Sequence, residues 1–216
     1  MATMISSTEV LGARLLREIA SEEGSLEDLL KTLRQNLTPS PPKTGIPPLD
    51  DLCTHHTSKL SITGRTLPLL HSILIHLISP SHLNGTVALV DLTGRFSPSH
   101  LLPCLSKSDL THIHIFTPTK RTLQATLNNI EAYMLYGEHK SHAREWLGII
   151  VNGGVGGDVN LGWRGWLRVE REEVGGFGEG LSVDEVWGER ERREEVVEGR
   201  GWRAEDGEGR GFVWRV

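Results

Sequence analysis

Residues 60–78, LSITGRTLPLLHSILIHLI, decide how this chain is read. Their beginning, with Lys59 ahead of it, reads as a strand, and residues 66–78 are apolar enough for a buried helix. Pro68 is tolerable there because it falls in the first turn, where the missing amide has no partner to lose. Between the two stands Gly64-Arg65-Thr66, the place where a strand–loop–helix unit would wrap a phosphate. Whether that junction binds a nucleotide or is the remnant of one that did is the question the rest of the sequence answers.

The pattern continues outward on both sides. TVALVDL (86–92) reads as a second, buried strand and HIHIF (112–116) as a third. A helix is predicted over 122–136, with Leu123, Leu127, Ile130 and Met134 as its apolar stripe, and WLGIIV (146–151) is a fourth strand. Strand and helix alternating in this way predict an α/β fold with a mostly parallel sheet covered on both faces. Beyond it, GGVGGDVNLGWRG (153–165) reads as a glycine-rich loop, and WLRVEREEV (166–174) as a strand with Leu167, Val169 and Arg171 on one face. Ser182 and Glu185 form a capping box for a helix running to about Glu198 and closed by Gly199. That helix is preferred to disorder in the charged stretch 186–209 because Val183, Val186, Trp187 and Val197 supply an apolar stripe. GWRAEDGEGRGFVWRV (201–216) reads as a C-terminal hairpin turning at Asp206-Gly207, with aromatic residues facing each other.

Ahead of the α/β part, residues 8–36 hold two short amphipathic helical patterns. Leu11, Leu15, Leu16 and Ile19 share one face, and Leu26, Leu29, Leu30 and Leu33 the next. TPSPPK (38–43) cannot continue a helix, because proline lacks the amide and restricts its predecessor. The organisation expected is a helical N-terminal extension over 1–37, a proline-rich linker over 38–43 and one α/β domain over 44–216. The extension is too short for a core of its own, so its leucine faces are expected to pack on this domain or on another subunit.

Composition narrows the function classes. The chain has 216 residues, 38% of them hydrophobic, and a formal net charge of -5. Residues 1–152 carry 13 basic against 13 acidic side chains, and 153–216 carry 10 against 15, so no broad basic footprint for nucleic acid exists. Cys53 and Cys104 are the only cysteines, the first twenty residues lack a long apolar run, and no stretch of about 18 apolar residues occurs. A reduced, intracellular, soluble protein is expected, with no membrane partner. No Gly-x-Ser-x-Gly elbow supports a serine hydrolase. His55-His56, His112 with His114, and His139 with His142 lack companions at zinc-site intervals, so no metal is expected.

The motifs resemble the RecA-type recombinase superfamily, and in particular the eukaryotic recombinase paralogues of the X-ray repair cross-complementing or Shu-complex kind. KTGIPPLDDLC (43–53) is similar to that family's Thr-Gly-x-x-x-Leu-Asp segment, and LSITG to its strand entering the phosphate loop. VALVDLTGRFSPSHL (87–101) is similar to the strand written Asp-x-Glu-Gly-x-Phe, and HIHIFTPTKRTLQATLNNIEAYM (112–134) to the next strand and helix. The resemblance covers roughly residues 44–152. It implies a RecA-like P-loop NTPase core, a nuclear location, and work in homologous-recombination DNA repair beside other recombinase paralogues or the recombinase itself.

The same resemblance shows what is missing. A working loop needs Gly-x-x-x-x-Gly-Lys-Ser/Thr, because backbone amides wrap the phosphates, lysine reaches the terminal oxygens and the hydroxyl holds Mg²⁺. Here Gly64 is followed at once by Arg65 and Thr66. The magnesium carboxylate is expected at the end of the fourth strand, where Asn152 stands; in a second register the IIVN strand is a later one and the carboxylate strand is deleted. The water-polarising glutamate is expected two residues after Asp91, where Thr93 stands. Gly64, Arg65, Thr66, Asp91 and Asn152 are therefore expected to be an inactive nucleotide-binding remnant, without catalytic residue or cofactor. An active DNA-dependent ATPase with an irregular loop, and a structural interaction module reusing the fold, are the alternatives. Lys120 and Arg121 at a helix start, with Trp163, Arg164, Trp166 and Arg168 around the glycine-rich loop, are the candidates for DNA or partner contact. DNA is expected to be met, if at all, through the complex.

Overall fold

The computed structural model describes residues 42–56, 59–176, 180 and 182–215, all within the compact unit Pro41–Val216. The two helical patterns of the N-terminal extension and most of the proline linker lie outside the described residues. In chain order the elements are α1 (Pro47–His56), β1 (Leu60–Gly64), α2 (Thr66–Ile78), β2 (Thr86–Asp91), a 3₁₀ turn (Pro98–Leu101), α3 (Lys107–Leu110), β3 (Ile113–Phe116), α4 (Leu123–Tyr136) and β4 (Trp146–Asn152). Then follow β5 (Val159–Leu161), β6 (Leu167–Arg171), α5 (Val183–Gly188), α6 (Arg190–Arg200), β7 (Trp202–Glu205) and β8 (Gly211–Trp214).

The strands form one eight-stranded mixed sheet in the order β3-β2-β4-β5-β1-β6-β7-β8. The first six are mutually parallel, while β7 runs antiparallel to β6 and β8 antiparallel to β7. Helices flank this sheet, and the fold is α/β. All six residues of β2 are buried, as a strand covered on both faces requires. Val87 and Leu89 pack into the larger core, with Leu69, Leu70, Ile73 and Leu74 of α2, while Ala88 and Val90 pack with Ile130 and Met134 of α4. The period of two in the strand thus splits one sequence run between two cores.

The Thr44–Asp50 motif is a structural lock. Asp50 of α1 accepts from the Thr44 amide and hydroxyl, both at 2.7 Å, and from the Gly45 amide at 3.2 Å. Its carboxylate thereby fixes the chain that enters α1. No helix among the described residues is long and apolar enough to cross a membrane.

Three expectations are corrected. The stretch 153–165 is not one loop, because β5 lies within it and is inserted between β4 and β1. The helix after Ser182 keeps its capping box but breaks at Glu189 into α5 and α6, and it ends at Gly201 instead of Gly199. The terminal hairpin turns over residues 206–210, with Glu205 paired to Gly211 and Trp202 facing Trp214, so Asp206-Gly207 is the start of a longer loop. That loop is wide because the Asp206 carboxylate gathers the amides of Glu208 and Arg210, each at 2.9 Å.

Candidate functional site

The strand-to-helix junction at the carboxyl end of β1 is closed. Arg65 alone separates Gly64 of β1 from Thr66 of α2, and its amide donates to the Val169 carbonyl at 2.8 Å. Gly64 has φ 85°, and a Cβ there would stand 2.4 Å from the same carbonyl oxygen. Only glycine fits both the left-handed backbone and the contact with β6. A phosphate cradle needs several consecutive amides turned toward one point. Here the strand runs into the helix through one residue whose amide belongs to the sheet, and Pro68 removes another from the first turn of α2. Arg65 is exposed, and its side chain caps nothing.

At the end of β2, Asp91 is 4% exposed and fully engaged. Its Oδ1 accepts from the Thr93 amide (3.0 Å), the Thr93 hydroxyl (2.7 Å) and Asn152 Nδ2 (2.9 Å), and its Oδ2 from the Phe96 amide (3.1 Å). Asn152 ends β4 in register with Asp91, and its Nδ2 also donates to the Thr93 hydroxyl at 3.0 Å. Burial by itself would raise the Asp91 pKa, but the bonds from Thr93, Phe96 and Asn152 outweigh it and hold the carboxyl below its ordinary value. An aspartate at position 152 would set two carboxylates against each other; asparagine supplies a donor instead. The trio Asp91, Thr93 and Asn152 organises the 91–96 turn with neutral partners. Among the described residues no group of three His, Cys, Asp or Glu side chains could hold a metal ion.

The glycine-rich stretch has a structural reason. Parallel neighbours usually need a crossover of a dozen or more residues. Between β4 and β5 only residues 153–158 are available, and they return against the face of β4 beneath α4. A Cβ on Gly156 would stand 2.7 Å from Leu127 of α4, and one on Gly157 would stand 2.6 Å from the Ile149 carbonyl oxygen. Asp158 closes the crossover by accepting from the Ile149 amide at 2.8 Å. A second short connection, 162–166, passes from β5 to β6 across β1, where the Ser61 hydroxyl donates to the Arg164 carbonyl at 3.2 Å.

That path separates the candidate contact residues. Trp163 is 77% exposed with the Arg164 guanidinium 3.9 Å above its ring. Trp166 is packed instead: it lies against the larger core, stacks on His56 at 4.0 Å and donates to the Lys59 carbonyl at 3.1 Å. Of the two tryptophans expected to meet DNA or a partner, Trp163 is exposed, whereas the crossover turns Trp166 toward α1. Arg168 lies on β6 and pairs with Glu170 at 2.6 Å. Lys120 and Arg121 are exposed in the connection between β3 and α4, away from the tryptophans in the sheet order. The structure therefore joins Asp91, Thr93 and Asn152 into one cluster, while the remaining candidates are dispersed.

Two polar clusters escape a sequence reading. The Ser141 hydroxyl, 1% exposed, stands 2.9 Å from both His112 Nδ1 and His114 Nε2, and ties the edge strand β3 to the loop before β4. Burial lowers the pKa of His112, aided by Arg144 and opposed by Asp109; burial, His139 and His112 lower that of His114. His139 and His142 stack at 4.1 Å and bond to the Met134 and Gly137 carbonyls, so these imidazoles are spent on structure. In the second cluster, Asp206 meets His56 Nε2 and Arg210 Nε, each at 3.1 Å, across 150 residues of sequence in the case of His56. Only the Asp-Gly turn signal marked that region in advance. Comparison with protein-family models, with curated proteins and with solved structures finds no match to this chain.

Proposed function

We propose that this chain is a non-catalytic recombinase paralogue, a subunit that helps to load or stabilise a recombinase filament during homologous-recombination DNA repair in the nucleus. The observation that carries the reading is the β1–α2 junction, where the place of a phosphate loop is taken by Arg65 alone, with its amide held by Val169. It is supported by the Asp91–Thr93–Asn152 cluster, in which a neutral amide occupies the expected magnesium position and every Asp91 oxygen is already engaged. The mostly parallel sheet closed by an antiparallel hairpin agrees with a RecA-like P-loop NTPase core that has kept its architecture. On this reading the chain is a pseudo-ATPase that takes no cofactor and binds other recombinase paralogues or the recombinase itself. Trp163 with Arg164, and Lys120 with Arg121, are its outward contacts to partner or DNA.

Calorimetric titration of the purified chain with ATP and Mg²⁺ tests the first part. No heat of binding is expected; a dissociation constant in the low micromolar range, about 8 kcal/mol, overturns the pseudo-ATPase reading. Affinity capture of recombinase-family subunits from nuclear extract tests the second part. Capture that persists at wild-type level in the combined Trp163→Ala and Arg164→Ala variant removes these residues from the interface.

A further inference from the structure

Three Ser/Thr-Pro pairs occur among the described residues: Ser79-Pro80, Ser97-Pro98 and Thr117-Pro118. Their hydroxyls are in different positions. Ser79 caps the end of α2 and its Oγ lies 2.8 Å from that of Ser81. Ser97 precedes the 3₁₀ turn, half-buried, with its Oγ 2.7 Å from that of Ser99. Thr117 is exposed in the irregular connection between β3 and α4, and its hydroxyl forms no hydrogen bond among the described residues. The third residue beyond also differs. It is His82 after Ser79 and His100 after Ser97, but the exposed Lys120 after Thr117.

These differences matter to one class of enzyme. A proline-directed protein kinase accepts proline after the target hydroxyl because its cleft offers no acceptor for an amide there, and it pairs a cation three residues on with an acidic group. Proline also biases its predecessor toward an extended backbone, the form such a cleft takes. We propose that Thr117 is a phosphorylation site for a proline-directed Ser/Thr kinase. The Thr117 Oγ1 attacks the γ-phosphorus of ATP and a new O–P bond forms. The bond from that phosphorus to the β,γ-bridging oxygen breaks, ADP leaves, and the hydroxyl proton passes to the kinase's carboxylate base.

The modification changes the charge of this connection. A phosphothreonine carries about -1.5 to -2 at neutral pH, against the two positive charges of Lys120 and Arg121. Phosphorylation would thus turn a cationic corner into a near-neutral one. The site assignment is independent of the function proposed above.

The full chain, incubated with a cyclin-dependent kinase and ATP and mapped by tandem mass spectrometry, tests it. Ser40-Pro41-Pro42-Lys43 has the same pattern, with its Ser40 and Pro41 outside the described residues, so the assay is run in a Ser40→Ala background. Phosphate is expected on Thr117, lost in Thr117→Ala and reduced several-fold in Lys120→Ala, with thermal midpoints unchanged in both variants. Absence of phosphate on Thr117 overturns the proposal, whichever other hydroxyls are modified. Equal incorporation at Thr117 with and without Lys120 overturns the role of the cation.

Discussion

Asp91 at the end of β2 and Asp206 just after β7 each carry a buried carboxylate that gathers the turn beside it, but their partners differ. Asp91 takes only neutral donors: two backbone amides, the Thr93 hydroxyl and the Asn152 amide. Asp206 takes two backbone amides together with the Arg210 guanidinium and the imidazole of His56, which is carried by α1. The first was singled out in the sequence as a candidate site residue and the second was not. Yet both carboxylates do the same work, and the second alone fastens the hairpin to a distant helix. A carboxylate at a strand end is thus better judged by its donors than by its motif.

The comparison can be broken most directly at Asp206. Asp206→Ala is expected to lower the thermal midpoint more than Asp91→Ala, because it removes the bonds to His56 and Arg210 as well as those to two turn amides. Equal midpoints for the two variants would show that the additional side-chain partners add nothing. Next in size is the His56 stack. Trp166→Ala should cost about 2–3 kcal/mol, as expected for a large, partly buried ring, whereas Trp163→Ala should stay within about 0.5 kcal/mol. Chemical denaturation of both variants measures this, and a large loss for Trp163 would place it in a core.

Asn152→Asp sharpens the Asp91 half of the comparison. It replaces a donor at 2.9 Å with a second carboxylate and should destabilise the chain by about 1–3 kcal/mol at neutral pH. The carboxyl pKa in the folded pair would be raised, so this penalty should fade as the pH drops toward the carboxyl range. If millimolar Mg²⁺ abolished the penalty at pH 7, the cluster would be a cation site after all.

The smallest effect expected is the mild-acid response. The pKa values of His71, His112 and His114 are lowered in the folded chain, chiefly by burial, so the unfolded chain binds more protons as the pH falls below about 6.5. Stability should decline from pH 7 toward pH 5, and the combined His112→Gln and His114→Gln variant should flatten that slope. Asp91 and Asp206, with carboxyls held below the ordinary value, should contribute their loss only below about pH 4. An unchanged slope in the double variant would show that the Ser141 cluster does not titrate.

Much of the fold was legible because its signals are local. The helix over 66–78 and the strands at 60, 86, 113 and 146 follow from runs of apolar residues whose length and spacing allow one arrangement. The capping box at Ser182 and Glu185 is a local chemical signal too, and it is present. The short junction was equally legible, since the sequence places Arg65 alone between the Gly64 that ends β1 and the Thr66 that starts α2. β5 was not legible, because three residues between glycines carry no period and gain their ladder only from β4 and β1.

Local sequence was enough for the α/β alternation, the one-residue junction at Arg65 and the neutral side chain at position 152. Tertiary structure alone decided the place of β5, the inward turn of Trp166, the bond of Arg65 to Val169 and the pairing of His56 with Asp206. The physical reason is distance along the chain. Periodicity and capping act within a few residues, whereas hydrogen-bond partners across a sheet, or between α1 and a hairpin 150 residues later, exist only once the chain has closed on itself.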